Sequence, residues 1–156
     1  IEVARKIGWN LPEEAIRNGF ESVQSTTGLR GRWEKLNDSP LAIADSGHNP
    51  DGIKAVLHEL DQIAFKKLHW ILGMVNDKDV DEILKMLPRD ADYYFTQAQI
   101  PRAMPAAELA DKAQKQGLKG LVIPDVRKAY KTALSKAKND ELVFVGGSFF
   151  VVAEVL

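Results

Sequence analysis

Cysteine is absent from the 156 residues, which excludes disulfide scaffolds, thiolate zinc sites and thiol nucleophiles. Histidine is scarce, with only His48, His58 and His69 present, so a multi-histidine metal centre is not expected. Charge of one sign is also lacking. The chain has 21 Lys and Arg against 22 Asp and Glu, a formal net charge of −1, which argues against a bulk electrostatic grip on nucleic acid or anionic lipid. The longest apolar stretch, Leu142 to Ala153, contains Gly146, Gly147 and Ser148 and is too short for a membrane span. No basic segment followed by an apolar one opens the chain, so no signal peptide is expected and the expected location is cytoplasmic. Internal repeats and low-complexity tracts are missing too.

What is present reads as an ordinary globular protein: 45% hydrophobic and 28% charged residues. The length fits the roughly 100–200 residues of one domain, with a sizeable core. The chain begins at Ile1 with helical text. Leu11-Pro12-Glu13-Glu14 reads as a helix start, with carboxylates where they complement the dipole, and Ala15, Ile16, Phe20 and Val23 recur at helical spacing. Gln24 to Gly31 is polar and aperiodic and reads as a linker. The expected organisation is therefore a fragment. Residues 1–30 are the tail of a preceding central domain plus a hinge at Gln24–Arg30, and residues 31–156 are one nearly complete domain. The alternative is a small mature protein with a processed N-terminus.

From Leu41 onward, short apolar runs alternate with amphipathic stretches. Strands are expected at Leu41–Ala44, Leu68–Val75, Ala91–Thr96, Leu121–Ile123 and Glu141–Val145, with Trp33–Leu36 as an added edge strand. Helices are expected at Asp51–Phe65, Val80–Leu87, Pro105–Gln116 and Asp125–Lys138. This alternation specifies βαβ units and hence a Rossmann-like, doubly wound α/β fold, a mostly parallel sheet with helices on both faces. Ligands of such sheets bind beyond the carboxyl ends of the strands. Those ends are Asp45–Asn49, Asn76–Asp79, Thr96–Arg102, Ile123–Asp125 and Gly146–Ser148, all equipped to hydrogen-bond or carry charge.

Asp45-Ser46-Gly47-His48-Asn49-Pro50 directly joins a strand to a helix. Gly47 is expected to permit a backbone turn that other residues resist, and Pro50 suits the first helical position. Asp45 can accept from a ribose hydroxyl, and His48 can exchange hydrogen bonds with a base, phosphate or acyl group. Asn49 can do the same or cap the helix. Upstream, Gly31-Arg32-Trp33-Glu34 offers a planar permanent charge suited to phosphate oxygens.

Taken together, Gly31-Arg32-Trp33-Glu34 and Asp45-Ser46-Gly47-His48-Asn49-Pro50 resemble the C-terminal domain of the folylpolyglutamate synthase/dihydrofolate synthase family, within the Mur ligase superfamily. That family typically reads Gly-Arg-aromatic-Glu and then Asp-Gly-Ala-His-Asn-Pro, so Ser46-Gly47 here replaces a Gly-Ala pair. Three further segments match in order: Gly73-Met74 to Asp79, Pro101-Arg102-Ala103 with Pro105-Ala106, and Gly146-Gly147-Ser148-Phe149 with Val152 to Leu156.

The resemblance implies an ATP-dependent amide ligase. ATP phosphorylates a folate or dihydropteroate carboxylate, and L-glutamate attacks the acyl phosphate. It further implies that Arg32, Asp45 and Asn49 serve the nucleotide, that His48 is catalytic, and that Ser148, Lys78 and Arg102 serve glutamate. No metal ligand is assigned. The family's phosphate-binding loop ends in Gly-Lys-Ser/Thr, and no Gly-Lys pair occurs here, so ATP and Mg2+ are expected to be held mainly by an upstream ATPase domain of the same chain. The isolated chain is then inactive, and the parent enzyme a monomer. Two alternatives stand beside this reading. One is a Mur-type cell-wall amino-acid ligase, which usually carries Asp-Asn-Pro-Arg where this chain has Gln99-Ile100-Pro101-Arg102. The other is a non-catalytic Rossmann-like module that binds a nucleotide or a partner.

Overall fold

The computed structural model describes residues 1–76 and 80–156. The chain divides into two compact units, Ile1–Arg30 and Gly31–Leu156.

The first unit holds α1 (Glu2–Lys6), α2 (Glu13–Glu21) and α3 (Val23–Thr27), none of which has a buried residue. An Arg5–Glu13 ion pair ties α1 to the start of α2. The expected linker at Gln24–Gly31 is corrected in part: five of the flanking and linker residues form α3. Composition misled here because Ser and Thr return their hydroxyls to the preceding turn, as Thr26 Oγ1 does to Ser22 O at 2.8 Å. Gly28, at φ +68°, closes that helix.

The second unit is a six-stranded sheet in the order β1-β2-β6-β3-β4-β5. Its strands are β1 (Glu34–Asp38), β2 (Leu41–Ala44), β3 (Leu68–Leu72), β4 (Asp92–Phe95), β5 (Gly120–Val122) and β6 (Leu142–Gly146). Strands β2 to β5 and β6 run parallel, and β1 joins the edge as an antiparallel hairpin partner of β2, with a bulge between Lys35 and Asn37. The Rossmann-like, doubly wound α/β expectation therefore holds.

Side-chain alternation builds two cores. Leu68, Trp70, Leu72, Tyr93, Phe95, Leu142 and Phe144 point to one face. Ile71, Tyr94, Val143 and Val145 point to the other, with small Ala42 and Ala44. The first face is covered by α4 (Pro50–Leu60), α5 (Val80–Met86) and α6 (Ala106–Lys115), through Ile53, Val56, Leu60, Ile83, Leu84 and Leu109. The second is covered by α7 (Val126–Lys136) and α8 (Phe149–Ala153), through Val126, Ala129, Ala133, Val151 and Val152. Burial on both faces explains why these strands read as continuous apolar runs.

The chain steps from β2 to β3, β4 and β5 in one direction, then returns through α7 to place β6 between β2 and β3. The loops that follow β2 and β3 therefore lead to one face, and the loop that follows β6 leads to the other. That divergence makes the carboxyl ends of β2, β6 and β3 the topological switch point of the sheet, where ligands of this architecture bind.

Candidate functional site

Two segments that lie apart in sequence interlock at this switch point. Asp45 follows β2, and its carboxylate takes two backbone amides: Oδ2 accepts from Trp33 N and Oδ1 from Gly47 N, both at 2.8 Å. Ser46 N donates to Gly31 O at 3.0 Å, and Arg32 Nη1 donates to Ser46 Oγ. Gly31 N in turn donates to Glu34 Oε2 at 2.7 Å. The Gly31–Glu34 turn is left-handed at two positions, with φ +72° at Gly31 and +46° at Trp33. A bulky residue in that region is a backbone outlier. The Trp33 ring nevertheless packs against Phe144, centroids 6.0 Å apart, so core packing and the Asp45 bond together hold it there.

His48 is exposed, and its Nδ1 lies 2.9 Å from Ser46 O. A carbonyl oxygen only accepts, so Nδ1 carries the proton and donates it. In the neutral ring, Nε2 is then the free acceptor. Asn49 is the N-cap of α4: its Oδ1 accepts from Gly52 N at 2.7 Å, with Pro50 in the first turn. Gly47, just before His48, is favoured for a different reason than expected. Its φ is not left-handed, but a Cβ there would lie 3.0 Å from Gly52 O and 3.2 Å from Asp45 Oδ1. Close approach of the loop to the first turn of α4, rather than backbone freedom, leaves little space for a side chain here.

The neighbouring strand ends pack as tightly. Asp45 N donates to Val145 O at 3.1 Å and continues the β2–β6 ladder. Added Cβ atoms would lie 2.6 Å from Val151 Cγ2 at Gly73, and 2.6 Å from Leu72 Cδ1 at Gly147, which has φ +93°. Ser148, 3% exposed, caps α8 by accepting from Phe150 N at 3.3 Å, so its hydroxyl proton remains to be donated. Arg102 stands in the loop after β4, which pairs with the loop after β3 through a Val75–Ala103 bridge. Its guanidinium lies 5.0 Å from the centroid of the Phe150 ring, which brings it beside α8. Lys78 lies outside the described residues.

The structure thus ties Arg32, Asp45 and His48 into one hydrogen-bonded rim and places Asn49 at its helix end. Separately, Ser148 caps α8 and Arg102 lies over the Phe150 ring of the same helix. Sequence reading missed Ser46, which it treated as a small residue in a loop, and the backbone amide of Trp33. The ordered pairing of the two segments was the available signal. Arg32 and the N-terminus of α4 present positive charge and positive dipole at one edge, an arrangement suited to anionic oxygens. Among the described residues, no three His, Asp or Glu side chains gather as a metal site.

The fold and this rim define a doubly wound α/β domain that carries a polar, hydrogen-bonded rim at its strand ends. The chain belongs to the Mur ligase family, whose glutamate ligase domain model matches residues 31–149. It is 30% identical over 157 residues to a probable bifunctional folylpolyglutamate synthase/dihydropteroate synthase of Haloferax volcanii, covering 99% of this chain and 18% of that protein. It is 29% identical over 154 residues to the dihydrofolate synthase/folylpolyglutamate synthase of Escherichia coli, covering 97% and 35%. The bifunctional folylpolyglutamate synthase/dihydrofolate synthase of Yersinia pestis, crystallised with AMPPNP and Mn, superposes with a TM-score of 0.80 at 30% identity, covering 95% of this chain and 34% of that one. The chain spans about a third or less of the length of these curated relatives. Among the described residues no helix is long and apolar enough to cross a membrane.

Proposed function

We propose that this domain supplies the nucleotide- and glutamate-facing side of a cytoplasmic, monomeric ATP-dependent ligase that joins L-glutamate to a folate or dihydropteroate carboxylate. The observation that carries the reading is the rim in which Arg32, Asp45 and His48 are locked together at the strand ends of a glutamate ligase domain. The printed names of the relatives, folylpolyglutamate and dihydrofolate synthases, support the substrate class. The AMPPNP and Mn bound by the Yersinia pestis protein support use of ATP with a divalent metal.

In this reaction a carboxylate oxygen of the pterin substrate attacks the terminal phosphorus of ATP, and ADP leaves. The glutamate amine then attacks the acyl carbon, the C–O bond to phosphate breaks with its electron pair, and the amine loses a proton as the amide forms. Arg32 meets phosphate oxygens, with the N-terminus of α4 adding to its field. Asp45 holds the rim together and has lone pairs left for the ribose hydroxyls, and Asn49 fixes the loop from the helix end. His48, with Nδ1 committed to Ser46 O, turns Nε2 toward the acyl centre, where it accepts the proton of the incoming amine. Arg102 and Ser148, at α8, and Lys78 receive the carboxylates of glutamate. The phosphate-binding loop and the ligands for Mg2+ belong to an upstream ATPase domain of the same chain, so these 156 residues alone do not turn over.

The test is made in the full-length ligase, following ADP release that depends on both glutamate and dihydropteroate. Arg32→Ala should raise the KM for ATP by about tenfold, the worth of one charge-assisted contact to phosphate. His48→Ala should lower kcat by about a hundredfold with little change in the KM for ATP. Wild-type kinetics in both variants would refute the assignment.

A further inference from the structure

Ser46 is 1% exposed, and all three of its polar groups are engaged with the rim. Its N donates to Gly31 O, its carbonyl accepts from His48 Nδ1, and its hydroxyl accepts from Arg32 Nη1. The two main-chain bonds pin the residue, so the position of the hydroxyl is set by the backbone of the loop and does not depend on the Arg32 side chain. Arg32, by contrast, is exposed, and a long side chain in water samples many rotamers. Its backbone is held between Gly31 and Trp33, both left-handed and both bonded to the Asp45–Ser46 loop. At Gly31 a Cβ would stand 2.9 Å from Val152 Cγ1, so this turn has no room to shift toward α8. One of the five guanidinium N–H groups is spent on Ser46 Oγ and four remain for a ligand.

We propose that the Ser46 hydroxyl is a positioning group that holds the Arg32 guanidinium in the orientation in which it meets the nucleotide phosphates. The proposal rests on the phosphate-facing role of Arg32 argued above. Anchoring Arg32 before the ligand arrives removes the ordering entropy that a free side chain would lose on binding. The division within the residue is chemical: the side chain of Ser46 serves Arg32, and its carbonyl serves His48. Deleting only the hydroxyl therefore separates the two functions. It loosens the group that faces ATP and leaves the imidazole of His48 on its carbonyl anchor.

The experiment is a double-mutant cycle in the full-length ligase, with Ser46→Ala, Arg32→Ala and the pair. Ser46→Ala should raise the KM for ATP about three- to tenfold, the range expected for freeing one rotamer-rich side chain. The KM for glutamate and the denaturant midpoint of unfolding should stay at wild-type values. In the Arg32→Ala background the same substitution should leave the KM for ATP unchanged, because its only route of action is gone. An equal effect of Ser46→Ala in both backgrounds would overturn the proposal, as would parallel rises in both KM values. If Arg32→Ala raises the KM for ATP and Ser46→Ala does not, the positioning role alone falls. If Arg32→Ala itself leaves the KM for ATP untouched, the phosphate role of Arg32 falls and the positioning role falls with it.

Discussion

Asp45→Ala removes a carboxylate that joins the two halves of the rim through the backbone of Trp33. Its oxygens accept from Trp33 N and Gly47 N, each at 2.8 Å and each partly buried. A hydrogen bond to a charged group contributes about 1.5–3 kcal/mol when fully buried, and partial hydration brings this to roughly 1–2 kcal/mol for each bond. Trp33, at φ +46°, also loses the bond that helps to hold its strained backbone. The expected loss of stability is about 2–4 kcal/mol, which for a unit of this size lowers Tm by roughly 8–16 °C. Thermal unfolding followed by circular dichroism measures it, with no nucleotide present. Asp45→Asn is the matched control. It keeps the shape and one acceptor, and it turns an NH2 group toward the other amide, so it should recover only part of the loss. In the full-length ligase, collapse of the rim should disturb the KM for glutamate as well as that for ATP. A Tm for Asp45→Ala within about 2 °C of wild type, on the same scale, would refute this structural role. Combined with a raised KM for ATP alone, that result would leave Asp45 as a direct nucleotide ligand and nothing more.

Two further outcomes test the packing around the site. Gly73→Ala would place a Cβ 2.6 Å from Val151 Cγ2 and 2.9 Å from Thr96 O, and the carbonyl belongs to a strand end that cannot yield. A loss of about 1–3 kcal/mol is expected in urea unfolding, and an unchanged midpoint would show that β3 does not abut α8 as described. Burial pushes the Tyr94 hydroxyl up to about 12, and Asp92 and Glu141 add to the shift. The unfolded chain releases that proton near its ordinary value of about 10, so stability holds below that pH and declines as pH rises from there through about 12. Tyr93 is displaced in the same direction by burial, so Tyr94→Phe should reduce the alkaline slope without abolishing it. Tyrosinate absorbance recorded alongside circular dichroism checks this, and an identical slope in the variant would refute the account.

Local chemistry was legible wherever a single element decides its own form. The apolar runs at Leu41–Ala44 and Leu142–Val145 are strands because residues of alternating direction must be buried on both sides. Asn49 caps its helix through a bond to the backbone three residues on. The expected helix at Asp51–Phe65 stops at Leu60, and the expected strand from Leu68 stops at Leu72, because boundaries depend on neighbours that periodicity does not contain. The C-terminal apolar segment, left without an assignment, becomes α8 once Ser148 caps it.

By itself the sequence determined the alternation of elements, the doubly wound α/β class, the set of strand-end segments and the two motifs that belong together. Only the tertiary structure decided that β6 inserts between β2 and β3, that β1 closes the edge antiparallel, and that Gly47 lies close against the first turn of α4. It alone paired Arg32 with Ser46 and Asp45 with Trp33. The reason is physical: hydrophobic period, caps and turn residues act over one or two turns of chain. Strand order and the partners of a polar side chain are fixed by which surfaces exclude water from each other when distant segments close, and that condition is written in no single stretch of residues.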